Sequence, residues 1–295
     1  MGASMTLMQK LIAGTKWLLG TARGGRSVPV FPDDTFIVSY PRSGNTWTRF
    51  LIANLINPDE PATFANIETK VPEIEANTRR QLERFPRPRI LKSHEYFDPR
   101  YKKVVYIARD PRDVVLSNYY FQLKKRFIED GYPIDRYVSR FIAGEVDDYA
   151  SWGDNVATWL VTRYGSPSFL LLRYEDMLQA PQHELAKVAF FLGIEADSQR
   201  LDRAVELSSA NRMRQLEKKD ENVYIVTKKT RKDIPFVGTA ASGGWKSTLP
   251  PHLAAQIELA WAPIMKTVGY ELSTPPAARS EIRDRVWTAL IRSEK

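Results

Sequence analysis

Four uninterrupted apolar runs constrain this chain more than any other feature: TFIVSY (35–40), RILKS (89–93), KVVYIAR (103–109) and SFLLLRY (168–174). Each has the length of a strand, and none alternates cleanly between apolar and polar residues. Such runs fit strands buried on both faces, as in a parallel sheet. Helical periodicity fills the intervals, most clearly over 46–56, 111–126, 149–164, 182–192 and 252–267. Strands alternating with helices predict an α/β fold, a three-layer α/β/α sandwich about a central parallel sheet with right-handed crossovers. In a sheet of this kind ligands sit beyond the carboxyl ends of the strands. The residues with chemical potential fall at those ends.

Composition narrows the partners. The chain of 295 residues is long enough to bury a large core, and its 43% apolar content fits an ordinary globular protein. Its 43 basic and 35 acidic residues leave a net charge of +8, which favours anionic ligands. No nucleic-acid-binding motif accompanies that charge, so nucleic acid is not an expected partner. There is no cysteine, and the three histidines (His94, His183 and His252) are far apart in sequence. A zinc site is therefore not expected, and no metal is assigned. Residues 1–30, with MTLMQKLIAGTKWLLG, read as an amphipathic segment too short and too charged to cross a bilayer. Docking on the domain is favoured over contact with a membrane surface, and the location expected is cytoplasmic. The main domain is assigned to 31–272 and a tail without a role to 273–295. Residues 218–250 read as one long loop, a kind of segment that is usually functional or mobile. Monomer and homodimer both fit the sequence.

The first apolar run leads into VSYPRSGNTW (38–47). Pro41 ends ladder pairing, Gly44 permits close backbone approach, and a helix opens near Thr46. Helix-start amides at Ser43, Gly44, Asn45, Thr46 and Trp47 favour an oxyanion, with Arg42 and the hydroxyls of Ser43 and Thr46 as further donors. The GxxxxGK[ST] spacing of nucleoside triphosphatases is absent. Two later stretches have the same position relative to a strand. LKSHEYFDPRYKKVVYIARDPRDVVLSNYYFQ places Lys92 and His94 at one strand end, Arg109 at the next, and Ser117 in the following helix. LLLRYEDM ends its strand at Tyr174, Glu175 and Asp176. A bland reading pairs Arg109 with Asp110 or Asp113 and leaves His94 as a polar strand end.

Together these stretches resemble the cytosolic sulfotransferase family. YPRSGNTW is similar to its YPKSGTTW 5′-phosphosulfate loop, LKSH to its KTH strand end, and ARDPRDVVLSNYYF to its RNPKDVAVSYYHF 3′-phosphate motif. RYEDM with FFLGI, and GGWKSTL, resemble its YEDM…FLG segment and its late GDWK loop. The likeness runs from about 33 to 270. It implies a P-loop NTPase-like sulfotransferase fold and 3′-phosphoadenosine 5′-phosphosulfate (PAPS) as donor to a hydroxyl-bearing small-molecule, lipid or natural-product acceptor. It implies His94 as general base, Lys92 toward the sulfuryl oxygens, and Arg42 with the amides of 43–47 on the phosphosulfate. Arg109 and Ser117 would take the 3′-phosphate; Trp47, Tyr174 and Ser208 would contact adenine.

Three departures stand out. Arg42 replaces the loop lysine of the animal enzymes. Gly238, Thr239 and Ala240 stand where the family has Arg-Lys-Gly, and KKTRK (228–232) is the nearby candidate substitute. Ala210 stands where an aromatic often stacks on adenine. Aromatic residues in variable segments, namely Phe64, Phe85, Phe127, Tyr132, Tyr137, Phe141 and Tyr149, hint at a partly apolar acceptor pocket, although ordinary core would use them equally. Two alternatives stay open: a fold-retaining nucleotide-binding protein with lost turnover, and a P-loop kinase, which would need the Walker residues that this loop lacks.

Overall fold

A computed structural model describes residues 24–275, so the N-terminal segment to residue 23 and the tail beyond 275 lie outside the described residues. Four parallel strands form one sheet: β1 (Thr35–Ser39), β2 (Ile90–Ser93), β3 (Lys103–Ala108) and β4 (Phe169–Arg173), in the order β2-β1-β3-β4. Ile37 pairs with Lys92 on one side of β1, and Ser39 with Ile107 on the other.

The uninterrupted apolar runs have a simple cause. Alternate side chains of a strand point to opposite faces. Phe36, Val38, Val104 and Tyr106 enter one core, whereas Ile37, Val105, Ile107 and Leu172 enter the other. Helices α4 (Pro111–Lys125), α5 (Ile134–Ile142), α6 (Trp152–Arg163) and α12 (Pro251–Val268) supply the first core. Helices α1 (Asn45–Ile56), α8 (Pro181–Leu192), α9 (Ser198–Leu207) and α10 (Ala210–Lys219) supply the second. The sheet is thus covered on both faces, giving the expected three layers. Shorter helices complete the set: α2 (Ile67–Lys70), α3 (Arg79–Glu83), α7 (Tyr174–Gln179) and α11 (Trp245–Thr248).

Between Lys219 and Trp245 the chain forms only turns and bends, so the loop expected over 218–250 is shorter, with α10 reaching Lys219 and α11 occupying Trp245–Thr248. The chain leaves β1 toward β2 and then returns across it to β3, so the topological switch lies between β1 and β3. That crevice is where such sheets bind ligands. Among the described residues, no helix is long and apolar enough to cross a membrane.

Candidate active site

A cavity of about 1270 Å³ opens over the carboxyl ends of the strands, at the switch point. Its walls include Arg42, Gly44, Asn45, Thr46 and Trp47 after β1, Lys92 and His94 after β2, Arg109 and Ser117 after β3, and Tyr174 after β4. The residues singled out in the sequence thus converge, with two exceptions, Ser43 and Ser208.

The loop after β1 is built for close approach. Gly44 caps α1 at φ 95°, and no side chain caps the first amides of that helix. Those amides are the ones an oxyanion uses. A Cβ at Gly44 would lie 2.5 Å from Cδ2 of Tyr174, so only glycine lets the loop pass under that ring. Arg42 is also left-handed, at φ 68°, a strained setting for a residue with a side chain. Asn45 ties the loop down by donating to the Ile37 carbonyl and the Ser39 hydroxyl. Ser43 lies beneath the loop, fully buried, and its hydroxyl has no hydrogen-bond partner.

Arg42 donates from Nε to Ser117 Oγ at 3.2 Å and from a terminal nitrogen to the Phe236 carbonyl. It lies between the rings of Phe121 and Phe236, with its guanidinium 4.7 and 5.0 Å from their centroids. Burial and the neighbouring Arg109 lower its pKa to about 10, so it is still cationic at neutral pH. Arg109 pairs with neither Asp110 nor Asp113. It donates to the Arg42 carbonyl at 3.0 Å, lies 4.3 Å over the Tyr174 ring, and leaves a buried Nε without a partner. Buried polar groups are normally satisfied. Arg109 Nε, a donor on a residue that lines the cavity, fits an oxygen of an anionic ligand, whereas the Ser43 hydroxyl is sealed beneath the loop.

Asp110 caps α4 through the Arg112 amide, but Asp113 does something else. It accepts from the amides of Gly243 (2.6 Å) and Trp245 (3.0 Å), which fastens the late loop to the site.

His94 closes the other side. Its Nδ1 lies 2.8 Å from the Ser39 carbonyl. A carbonyl only accepts, so Nδ1 carries the proton and Nε2 keeps its lone pair. Burial, then the charge of Lys92, lowers the His94 pKa to about 3, so the ring is neutral at physiological pH. Lys92 is itself engaged: Nζ lies 2.5 Å from Glu73 and 3.7 Å from Glu75. This carboxylate pair was not singled out in the sequence, although VPEIEAN carries the signal. The segment runs extended beside β2, with the Ile74 amide donating to the Lys92 carbonyl and the Lys92 amide to the Pro72 carbonyl, so Glu73 and Glu75 share the face opposite core residue Ile74. Although burial opposes it, Lys92 and Arg49 hold Glu73 down to about 2. Burial, reinforced by Glu73 against the pull of Lys92, pushes Glu75 up to about 7.

Several expectations need correction. Ser208 does not line the cavity: it is fully buried, its hydroxyl accepts from Asn54, and its carbonyl accepts from the Trp47 indole at 3.0 Å. It orients Trp47 because it falls at the packed junction of α9 and α10. The KKTRK run is likewise not at the cavity. Arg231 pairs with Asp130 and Asp233, Lys232 pairs with Glu221, and Lys228 and Lys229 point to solvent. Of the seven aromatics, Phe127 and Tyr149 line the cavity; Phe64, Tyr137 and Phe141 are core, Tyr132 lines a smaller pocket, and Phe85 lines neither. Ala210 does line the wall, beside Met213. The cavity wall also carries Glu75, Asp147 and Asp148, which were not singled out in the sequence. Among the described residues, no group of three or more His, Cys, Asp or Glu is arranged to hold a metal ion.

The sequence and the fold have known counterparts. The sulfotransferase domain model matches residues 32–269. Sulfotransferase 1A1 of Rattus norvegicus is 30% identical over 234 residues, 74% of this chain and 79% of that protein. Sulfotransferase 1B1 of Canis lupus familiaris is 28% identical over 257 residues, 81% and 86% of the two chains. Among solved structures, retinol dehydratase in complex with androsterone and the inactive cofactor PAP superposes with a TM-score of 0.69 at 19% identity, covering 88% of both chains. Mouse sulfotransferase SULT7A1 complexed with PAP superposes with a TM-score of 0.63 at 22% identity, covering 81% of this chain and 87% of that one. With the domain model spanning most of the chain and the strand-end residues gathered at one crevice, the chain belongs to the sulfotransferase family and is a sulfotransferase with PAPS as its donor.

Proposed function

We propose that this enzyme moves the sulfuryl group of PAPS to a hydroxyl of a small-molecule acceptor by in-line displacement, with His94 as general base. The observation that carries the reading is the His94 hydrogen bond to the Ser39 carbonyl, which leaves Nε2 unprotonated on a residue that lines the same cavity as Arg42 and Arg109. As the acceptor oxygen attacks sulfur, its proton passes to Nε2, and the S–O bond to the phosphate breaks. A base held near pKa 3 is weak in isolation. The negative charge of the bound donor counters the charge of Lys92 and raises the proton affinity of the ring when it is needed.

The other roles are those that the family resemblance implies, and donor count and charge are compatible with them. Arg42 and the uncapped amides of α1 take the 5′-phosphosulfate and stabilise the charge that grows on the leaving phosphate. Arginine retains its charge, so it steadies this oxyanion without protonating it. Lys92 has three N–H donors; two face Glu73 and Glu75, and the third is available to the sulfuryl oxygens. Arg109 and Ser117 take the 3′-phosphate, and Trp47 and Tyr174 the adenine. Ser208 acts through Trp47 as a positioning residue.

The test is His94→Ala, assayed with PAPS against a panel of hydroxyl acceptors in the presence of a chelator. Turnover should fall by about 10²–10⁴-fold, with affinity for the bisphosphate product nearly unchanged. Wild-type turnover in the variant would remove His94 from the mechanism.

A further inference from the structure

Three arginines hold one short loop. Arg42 donates to the Phe236 carbonyl, Arg214 to the Gly238 carbonyl at 2.9 Å, and Arg109 to the Ala241 carbonyl at 3.4 Å. Among the described residues none of the three has a carboxylate partner, whereas Arg49, Arg89 and Arg112 are all paired with acids. Unneutralised guanidinium groups gathered around one stretch of cavity wall form a site for more than one negative charge. Arg42 and Arg109 already have roles toward the donor; Arg214 does not.

Arg214 lies on α10, between two other contacts with the loop and the cavity. Glu217, one turn further along, accepts from the amides of Phe236 and Val237 at 2.6 and 2.9 Å. Met213, its neighbour in sequence, lines the cavity, as do Gly238, Thr239, Ala240 and Ala241, while Arg214 stands outside the lining and reaches that wall through the Gly238 carbonyl. A guanidinium has five N–H donors. Arg214 commits one terminal nitrogen to Asn211 and the other to Gly238, which leaves donors for a ligand. The wall from Gly238 to Ala241 carries no cation of its own, and KKTRK faces elsewhere.

We propose that Arg214, held at the outer side of the Gly238 wall, joins Arg109 in the cation set that binds the 3′-phosphate of the donor, compensating for a late loop without basic residues. The proposal rests on the donor-site reading above. A competing role, in which Arg214 only staples the loop through Gly238, is distinguishable because it would not depend on the phosphate.

The experiment is calorimetric titration of the full chain with adenosine 3′,5′-bisphosphate and, separately, with AMP. For Arg214→Ala and Arg214→Gln we expect roughly tenfold weaker bisphosphate binding with AMP affinity unchanged. Adding Gly238→Arg to Arg214→Ala should recover most of the loss. A Cβ at Gly238 meets nothing within 4 Å, and its backbone is outside the left-handed region, so the substitution is tolerated. An unchanged ratio of bisphosphate to AMP affinity in the Arg214 variants would overturn the proposal, as would a parallel loss for both ligands, which marks a staple. If the unmodified protein did not prefer the bisphosphate to AMP, the donor-site reading itself would fall.

Discussion

Replacing Gly44 by alanine perturbs the site at its tightest point. The backbone there has φ 95°, where an L residue is disfavoured by about 1–2 kcal/mol. The new Cβ would lie 2.5 Å from Cδ2 and 2.9 Å from Cε2 of Tyr174, well inside contact distance. Tyr174 is nearly fully buried and is held by Trp47 at an edge-on 5.9 Å and by Arg109 at 4.3 Å, so the ring has little room to yield. Forced overpacking of this kind adds about 1–3 kcal/mol. The total, about 2–5 kcal/mol, corresponds to a fall of roughly 5–15 °C in melting temperature for a chain of this size. The displaced ring also carries Arg109 with it, so bisphosphate affinity should fall as well. The discriminating assay is a double-mutant cycle by thermal melting and calorimetry. In a Tyr174→Leu background, Gly44→Ala should lose the steric part and keep only the backbone part, a coupling of about 1–3 kcal/mol. Additive losses, or an alanine variant that melts within a degree of the parent, would refute the close-approach argument.

Two further outcomes follow from the same geometry. Asp113→Ala removes the acceptor of the Gly243 and Trp245 amides, which should cost about 1–3 kcal/mol and speed hydrogen exchange at residues 243–245; unchanged exchange there would mean that the late loop is held by other means. Glu75→Gln should alter the pH dependence of stability. The Glu75 pKa in the fold, about 7 against an ordinary 4.5, lies above its unfolded value, so this group loses stability as pH rises from about 4.5 to 7. His94, at about 3, acts in the opposite sense, and stability falls as pH drops below about 6.5. The glutamine variant should therefore gain on the parent between pH 4.5 and 7, by at most about 3 kcal/mol. Parallel denaturation midpoints across that range would contradict the assignment.

The fold class was legible because its determinants are local. An apolar run that is buried on both faces needs no partner to be recognised, and runs such as 103–109 alternating with helical periodicity leave few arrangements other than a covered parallel sheet. The turn after β1 was legible for the same reason: Pro41, Gly44 and the start of α1 write a strand–turn–helix into ten residues. Helices α5, α9 and α10 were not singled out although each is amphipathic, since each is short, spanning 9 or 10 residues, and its few apolar positions are set among many charged ones. The partners of the site residues were beyond the reach of any local pattern. Arg214 meets Gly238 across 24 residues, Asp113 meets Gly243 across 130, and Lys92 finds Glu73 only because an extended segment docks beside β2. The hydroxyl of Ser208 turned inward because Asn54 of α1 is packed against it, a contact spanning 154 residues. Which residues carry charge to the strand ends is written along the chain. Which of those charges are neutralised, which are left for a ligand, and which side chains hold others in place depends on contacts between distant segments. Those contacts exist only once both cores have closed around the sheet.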